Sequence, residues 1–160
     1  MEYQVNVNFK FFANSLLEAE KKARMYVEEN LNVKPLVNTI CSPLDIAERC
    51  RDFRRSEKEY FVVFVLNTQN KVIDREVVSI GTLNQSLIHP RECFKFAIRL
   101  NANAVIFAHN HPSGSLEPSD EDLSVTKRLQ DAGKLLRIEV LDHIIVTAEG
   151  HKSLKEQKLI

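Results

Sequence analysis

With 160 residues, 44% of them hydrophobic and 28% charged, the chain has the size and composition of one soluble globular domain with a sizeable core. Its formal net charge of +0 gives no overall basic bias toward a nucleic-acid partner, and no apolar run approaches membrane-spanning length. Cys41, Cys50 and Cys93 are odd in number and form no C-x-x-C pair, and Met1-Glu2-Tyr3-Gln4 does not open a signal peptide. Reduced thiols in a cytoplasmic protein are therefore expected, rather than a disulfide framework or a cysteine-rich metal site.

Tyr3, Val5, Val7 and Phe9 alternate with polar residues, which predicts a half-buried strand. Ser15-Leu16-Leu17-Glu18 is a capping box for a helix reaching to about Glu29, and Asn30 and Pro35 end it. Residues 1–40 thus read as a strand–helix extension, and residues 41–160 as the main domain. Ser42 caps a second helix with Pro43 at its first position, and Ile46, Cys50 and Phe53 give it an apolar stripe. Arg49, Arg51, Arg54, Arg55 and Lys58 make its end basic, which reads as a solvated face.

Glu59 precedes the apolar run Tyr60–Leu66, a buried strand. Asn67-Thr68-Gln69-Asn70 is a turn, and Val72–Ile80 is a second strand, broken by Gly81, so the two predict an antiparallel hairpin. His89-Pro90 begins a helix with Phe94, Ala97, Ile98 and Leu100 facing inward. Ala104–Ala108 is a short unbroken apolar run, a fully buried strand. Pro112, Gly114 and Pro118 make the following segment a loop. Ser119 opens a helix to Ala132, stopped by Gly133. Leu135–Val140 and His143–Val146 read as the last strands, ending at Gly150. There is no internal repeat, and the sum is an α/β domain with one mixed sheet flanked by helices.

Chemistry concentrates where the buried run meets the loop. Side chains two apart on a strand share a face, so His109 and His111 leave the strand end together while Asn110 turns away. Asp122 sits three residues beyond the helix cap Ser119. Two imidazoles and one carboxylate can converge there, and three ligands leave a fourth position open, the pattern of a catalytic zinc site. The competing explanations are ordinary polar residues at a strand end for the histidines and a capping-box acid for Asp122. Of the other histidines, His89 suits a helix start, His143 a hydrogen-bonded core position and His151 an exposed one.

The string His109-Asn110-His111-Pro112, followed by Ser119 and Asp122, resembles the metal-binding signature of the JAMM (JAB/MPN+) metallopeptidases. The fuller His-Asn-His-Pro-Ser-Gly string with its Pro-Ser-x-x-Asp continuation resembles the RadC branch. So do Gly81-Thr82-Leu83-Asn84, His89-Pro90-Arg91-Glu92 and Asp142-His143-Ile144-Ile145-Val146, and the likeness covers roughly residues 41–160. The resemblance implies a three-layer JAB/MPN fold of the cytidine deaminase-like kind. It also implies Zn2+ held by His109, His111 and Asp122, and hydrolysis of peptide or isopeptide bonds in a peptide or protein substrate by a metal-activated water. The family's general base is a glutamate at the start of a core strand. Glu59 matches that place, with Glu57 and Glu76 as alternatives whose ordinary reading is surface charge. Ser119 is expected to stabilise the tetrahedral oxyanion.

Longer RadC-like proteins carry an N-terminal helix-hairpin-helix region. No glycine-bearing hairpin occurs between helices here, so DNA association is not carried over, and any DNA binding is expected to be weak. A non-catalytic DNA-repair or mobile-element accessory role is the alternative reading, and a metal-dependent nuclease is a third. The residues of HNH nucleases are spread over a ββα unit and are not contiguous. The H-x-E and P-C-x-x-C strings of zinc deaminases and the H-E-x-x-H of zincins are absent.

Overall fold

The computed structural model describes residues 39–81 and 88–160. The expected strand at Tyr3–Phe9, the capped helix from Ser15 and the segment Thr82-Leu83-Asn84 lie outside the described residues. Among the described residues, eight elements follow in order: α1 (Pro43–Glu48), β1 (Glu59–Leu66), β2 (Val72–Gly81), α2 (Pro90–Arg99), β3 (Ala104–Asn110), α3 (Asp120–Leu136), β4 (Glu139–Val146) and β5 (His151–Ser153). The strands form one mixed sheet in the order β2-β1-β3-β4-β5. Only β3 and β4 run parallel, joined by α3; the other three pairings are antiparallel.

Alternation along the central strands sorts the core into two sides. Phe61, Val63 and Val65 of β1 with Val105 and Phe107 of β3 pack against Phe94 and Ala97 of α2 and Val125 and Leu129 of α3. Val62, Phe64 and Leu66 with Ile106 and Ala108 pack against Ile46, Cys50 and Phe53 on the opposite face. The result is the α/β three-layer arrangement of a JAB/MPN-type fold. β3 is buried along its whole length, as its unbroken apolar run requires.

The β1–β2 hairpin forms as the sequence predicts. Asn67 closes its turn by accepting from the amides of Gln69 and Lys71, and Asn70 adopts φ 54°. Five local expectations change. The helix from Pro43 stops at Glu48, and Cys50 and Phe53 reach the core from i→i−3 turns instead. In α2, Cys93, Phe94, Phe96 and Ala97 are buried, whereas Ile98 is 54% exposed. At about 100° per residue, position 98 has already rotated out of the arc centred on residues 93 and 97.

Helix α3 runs through Gly133 and ends at Leu136, so Leu135 is helical and the expected strand from Leu135 does not form. Arg137 takes the left-handed cap conformation at φ 58°, and the Ile138 amide bonds back to the Gly133 carbonyl. A Cβ on Gly133 would lie 2.5 Å from the Ile138 carbonyl oxygen and 3.2 Å from Phe94 and Val140, so this glycine serves close approach and not termination. The predicted pair of last strands is one strand, β4. Its Asp142 accepts from Ser153 Oγ at 2.6 Å and from the Lys155 amide at 3.1 Å, tying the C-terminal segment to the sheet. His151 lies in β5 and is half-buried, not exposed.

Candidate metal centre

The carboxyl end of β3 and the amino end of α3 meet beside β1, on the α2/α3 face of the sheet. β3 delivers His109, whose ring stacks on Phe61 of β1 at 6.2 Å between centroids. Two residues on, His111 points the same way, held by its Nδ1 against the Ser115 carbonyl at 2.8 Å. Helix α3 brings Asp122 in from above. Its stripe of Asp122, Val125, Thr126, Leu129 and Gly133 is the buried face of the helix, so packing of the apolar residues also fixes the carboxylate. His109 and Asp122 are 0% and 1% exposed.

The three groups converge. His109 Nε2 lies 3.1 Å from Asp122 Oδ1, His111 Nε2 lies 3.4 Å from Asp122 Oδ2, and the two Nε2 atoms stand 2.9 Å apart. All three donor atoms fall within 4.8 Å of one another. Ligands of a tetrahedral zinc at about 2.0–2.1 Å are themselves separated by roughly 3.3 Å, so the donor set and its spacing fit a divalent metal. Two imidazole nitrogens facing each other at this distance also need a proton or a cation between them.

Asp122 serves the helix as well. Its Oδ2 accepts from the Ser119 amide and the Ser119 hydroxyl, each at 2.7 Å, while Ser119 Oγ accepts from the Asp122 amide at 3.1 Å. The capping box and a place beside the two imidazoles are thus one arrangement, not alternatives. Burial alone would push the Asp122 carboxyl up, but hydrogen bonds from His109 and His111 outweigh it and hold the pKa far below the usual range. The hydrogen bond to Asp122 raises His111, against an opposing effect of burial.

Behind the ligands runs an ordered chain. His109 Nδ1 meets His143 Nε2 at 2.8 Å, His143 Nδ1 meets Thr126 Oγ1 at 2.5 Å, and Thr126 Oγ1 donates to the Asp122 carbonyl at 2.6 Å. Burial first, and then the neighbouring His109, keep the His143 pKa well below its ordinary value, so the ring is neutral. With Nε2 of His109 free for a metal, its Nδ1–H donates to His143, whose own N–H then faces Thr126. His143 is the hydrogen-bonded histidine that its apolar strand predicted. Thr126 was not singled out by the sequence reading; its signal is the i,i+4 spacing from Asp122 on one helix face.

A cavity of about 420 Å³ opens over the ligands, lined by Glu59, His111, Ser113, Ser115, Glu117, Ser119, Glu121 and Asp122. Glu59 is the first residue of β1. Phe61 lies opposite His109 in the β1–β3 register, so two residues back Glu59 stands toward His111, and its charge is among those raising the His111 pKa. The other two glutamates are elsewhere. Glu57 is exposed in the bend before β1, and Glu76 is exposed on β2 opposite Val63, roughly 13 Å along the strand from Glu59. A larger hollow of about 510 Å³ beside Gly133 and Arg137 has no imidazole in its walls. Arg91 and Glu92 pair with each other at 2.9 Å on the exposed surface of α2, and His89 is the exposed N-cap of that helix.

Comparison with known proteins shows the family. The family model for the RadC-like JAB domain matches residues 40–159. The chain is 46% identical over 149 residues to a UPF0758 protein of Desulfitobacterium hafniense, covering 92% of this chain and 64% of that protein. It is 51% identical over 122 residues to a UPF0758 protein of Rubrobacter xylanophilus, covering 76% and 53% respectively. A UPF0758 protein of Methanosarcina acetivorans is 42% identical over 147 residues, or 91% of this chain and 62% of that one. The chain therefore spans between half and two thirds of the length of these curated relatives. The family match takes in the whole segment from β1 to β5, and the chain belongs to the RadC-like JAB domain family.

Proposed function

We propose that this chain is a zinc-dependent metallopeptidase that hydrolyses peptide or isopeptide bonds. The observation that carries the reading is the position of Glu59, on the wall of the same cavity onto which His111 and Asp122 open. Two imidazoles and a carboxylate with one side open suit zinc among the common divalent ions. When bound, zinc supplies Lewis acidity toward a carbonyl oxygen and toward water.

The chain's own groups do the rest. Glu59 accepts a proton from the attacking water and hands it to the leaving amine as the C–N bond breaks. Ser119 offers its hydroxyl to the carbonyl oxygen as negative charge builds there. That hydroxyl now donates to Asp122; rotating its hydrogen alone re-aims it, leaving Oγ as acceptor for the Asp122 amide and the helix cap intact. His143 and Thr126 hold His109 in the tautomer that leaves Nε2 to the metal. Three unpaired cysteines, with Cys50 and Cys93 pushed up to about 12 by burial, are suited to a reducing cytoplasm. Among the described residues no helix is long and apolar enough to cross a membrane.

The test is a peptide-library screen on the zinc-loaded protein, followed by three variants. A general base contributes roughly 10²–10⁴-fold to rate. Glu59→Gln is expected to keep its zinc and its melting temperature and to lose activity by about that factor, while Glu57→Gln and Glu76→Gln cleave like the wild type. A Glu59→Gln protein as active as the wild type would remove Glu59 from the mechanism.

A further inference from the structure

The residue between the two histidines is not a ligand, and its side chain goes to the other side of β3. Asn110 is completely buried. Its Oδ1 accepts from the Tyr60 amide at 2.8 Å, and its Nδ2 donates to the carbonyls of Lys58 at 3.0 Å and Ser56 at 3.2 Å. The Lys58 carbonyl and the Tyr60 amide belong to the two peptide groups that flank Glu59. One side chain thus grips the backbone on both sides of the proposed base.

The strand register explains why a side chain is needed there. The β1–β3 ladder ends at the pair Phe61 and His109. Beyond it no further backbone pair joins the two strands: the His111 amide bonds to the Val146 carbonyl of β4, and Pro112 has no amide to offer. Without Asn110, the start of β1 would have no link to β3 through these three backbone groups. Glu59 would then be held on one edge alone, by the pairing of Glu59 with Gly81 of β2, and proton transfer would be less well aimed.

We infer that Asn110 is a positioning residue for Glu59, coupling the strand that carries the metal ligands to the strand that carries the base. The inference rests on the reading of Glu59 as general base. It concerns backbone geometry, so it can be measured without a substrate.

The first measurement is amide hydrogen exchange by NMR on the zinc-loaded wild type. The Tyr60 amide, one residue beyond the end of the ladder, is expected to be protected like the strand amides that follow it. A rapidly exchanging Tyr60 amide overturns the clamp, whatever any variant does. In Asn110→Ala, Tyr60 should exchange at least about 10-fold faster while amides of Val63 and Phe64 keep their protection. Asn110→Ser, smaller and still polar, takes its place if the alanine variant does not fold. Unchanged Tyr60 exchange in the variant also overturns the clamp.

The second measurement uses the substrate found in the library screen. Zinc content and KM should stay near wild type in Asn110→Ala while kcat falls on the order of 10²-fold, as for a misplaced catalytic group. A general loss of structure would instead lower zinc content and kcat together. An inactive Glu59→Gln beside a fully active Asn110→Ala overturns the positioning role and leaves the base assignment standing. An active Glu59→Gln overturns both, and the exchange data then still decide whether the clamp exists.

Discussion

The candidate ligand wall, with His109, His111 and Asp122, and the wall that carries the proposed base, Glu59, are held in different ways. On the ligand wall, His109 and Asp122 are buried to within 1% exposure, and both imidazole nitrogens and both carboxylate oxygens have neighbours within 3.4 Å. Across the cavity, Glu59 is half-buried at the first residue of a strand, and Asn110 fixes its backbone rather than its carboxylate. Ligands gain from rigidity, because a metal demands fixed donors. The same strand, β3, serves both walls: His109 faces one way and Asn110 the other.

The comparison breaks most visibly at Asp122. Asp122→Ala removes a donor atom and one half of the α3 capping box together. Zinc measured by elemental analysis should fall from about one per chain to near none, and the lost cap should cost about 1 kcal/mol of stability. Full zinc occupancy in Asp122→Ala would mean that the ligand wall is not a metal site.

A smaller effect sharpens how much of the ligand wall lies behind the donors. His143→Leu leaves the three donor atoms in place but takes away the acceptor for His109 Nδ1. Zinc affinity, measured by competition with a chelator, should weaken by roughly 10–100-fold. Affinity equal to wild type would show that packing against Phe61 alone orients His109.

The smallest effect on the site comes from Gly133, on the α3 face but far from either wall. Gly133→Ala sets a methyl against the Ile138 carbonyl and should destabilise the fold by about 1–3 kcal/mol in denaturant titration. Zinc content should not change. A loss of zinc in this variant would show that Asp122 depends on the whole length of α3 and not on its first turn.

Several features could be read before any fold was known. The unbroken Ala104–Ala108 run allowed only a buried strand, and a strand's two-residue period put His109 and His111 on one side. Ser119 and Asp122 announced a helix start through local chemistry that needs no tertiary partner. The hairpin around Asn67–Asn70 is likewise local. These readings succeeded because period, cap and turn are properties of neighbouring residues.

Other features were decided only when distant segments met. Gly133 looks like a helix stop, yet it lies inside α3 because the chain doubles back and Ile138 needs the room. Ile98 fits an apolar spacing but lies outside the arc that the sheet covers. In the sequence, only its place before a core strand sets Glu59 apart from Glu57 and Glu76. Only the pairing of Phe61 with His109 puts Glu59 beside the ligands and Glu76 well down the hairpin. Asn110 gave no signal, since its partners are 50 or more residues away in the chain. The sequence by itself determined the candidate donors and the local elements that carry them, because short-range sterics and hydrogen bonding suffice for that. Which glutamate faces them, and what holds it there, depends on strand register, which is set by burying both faces of β1 and β3 at once.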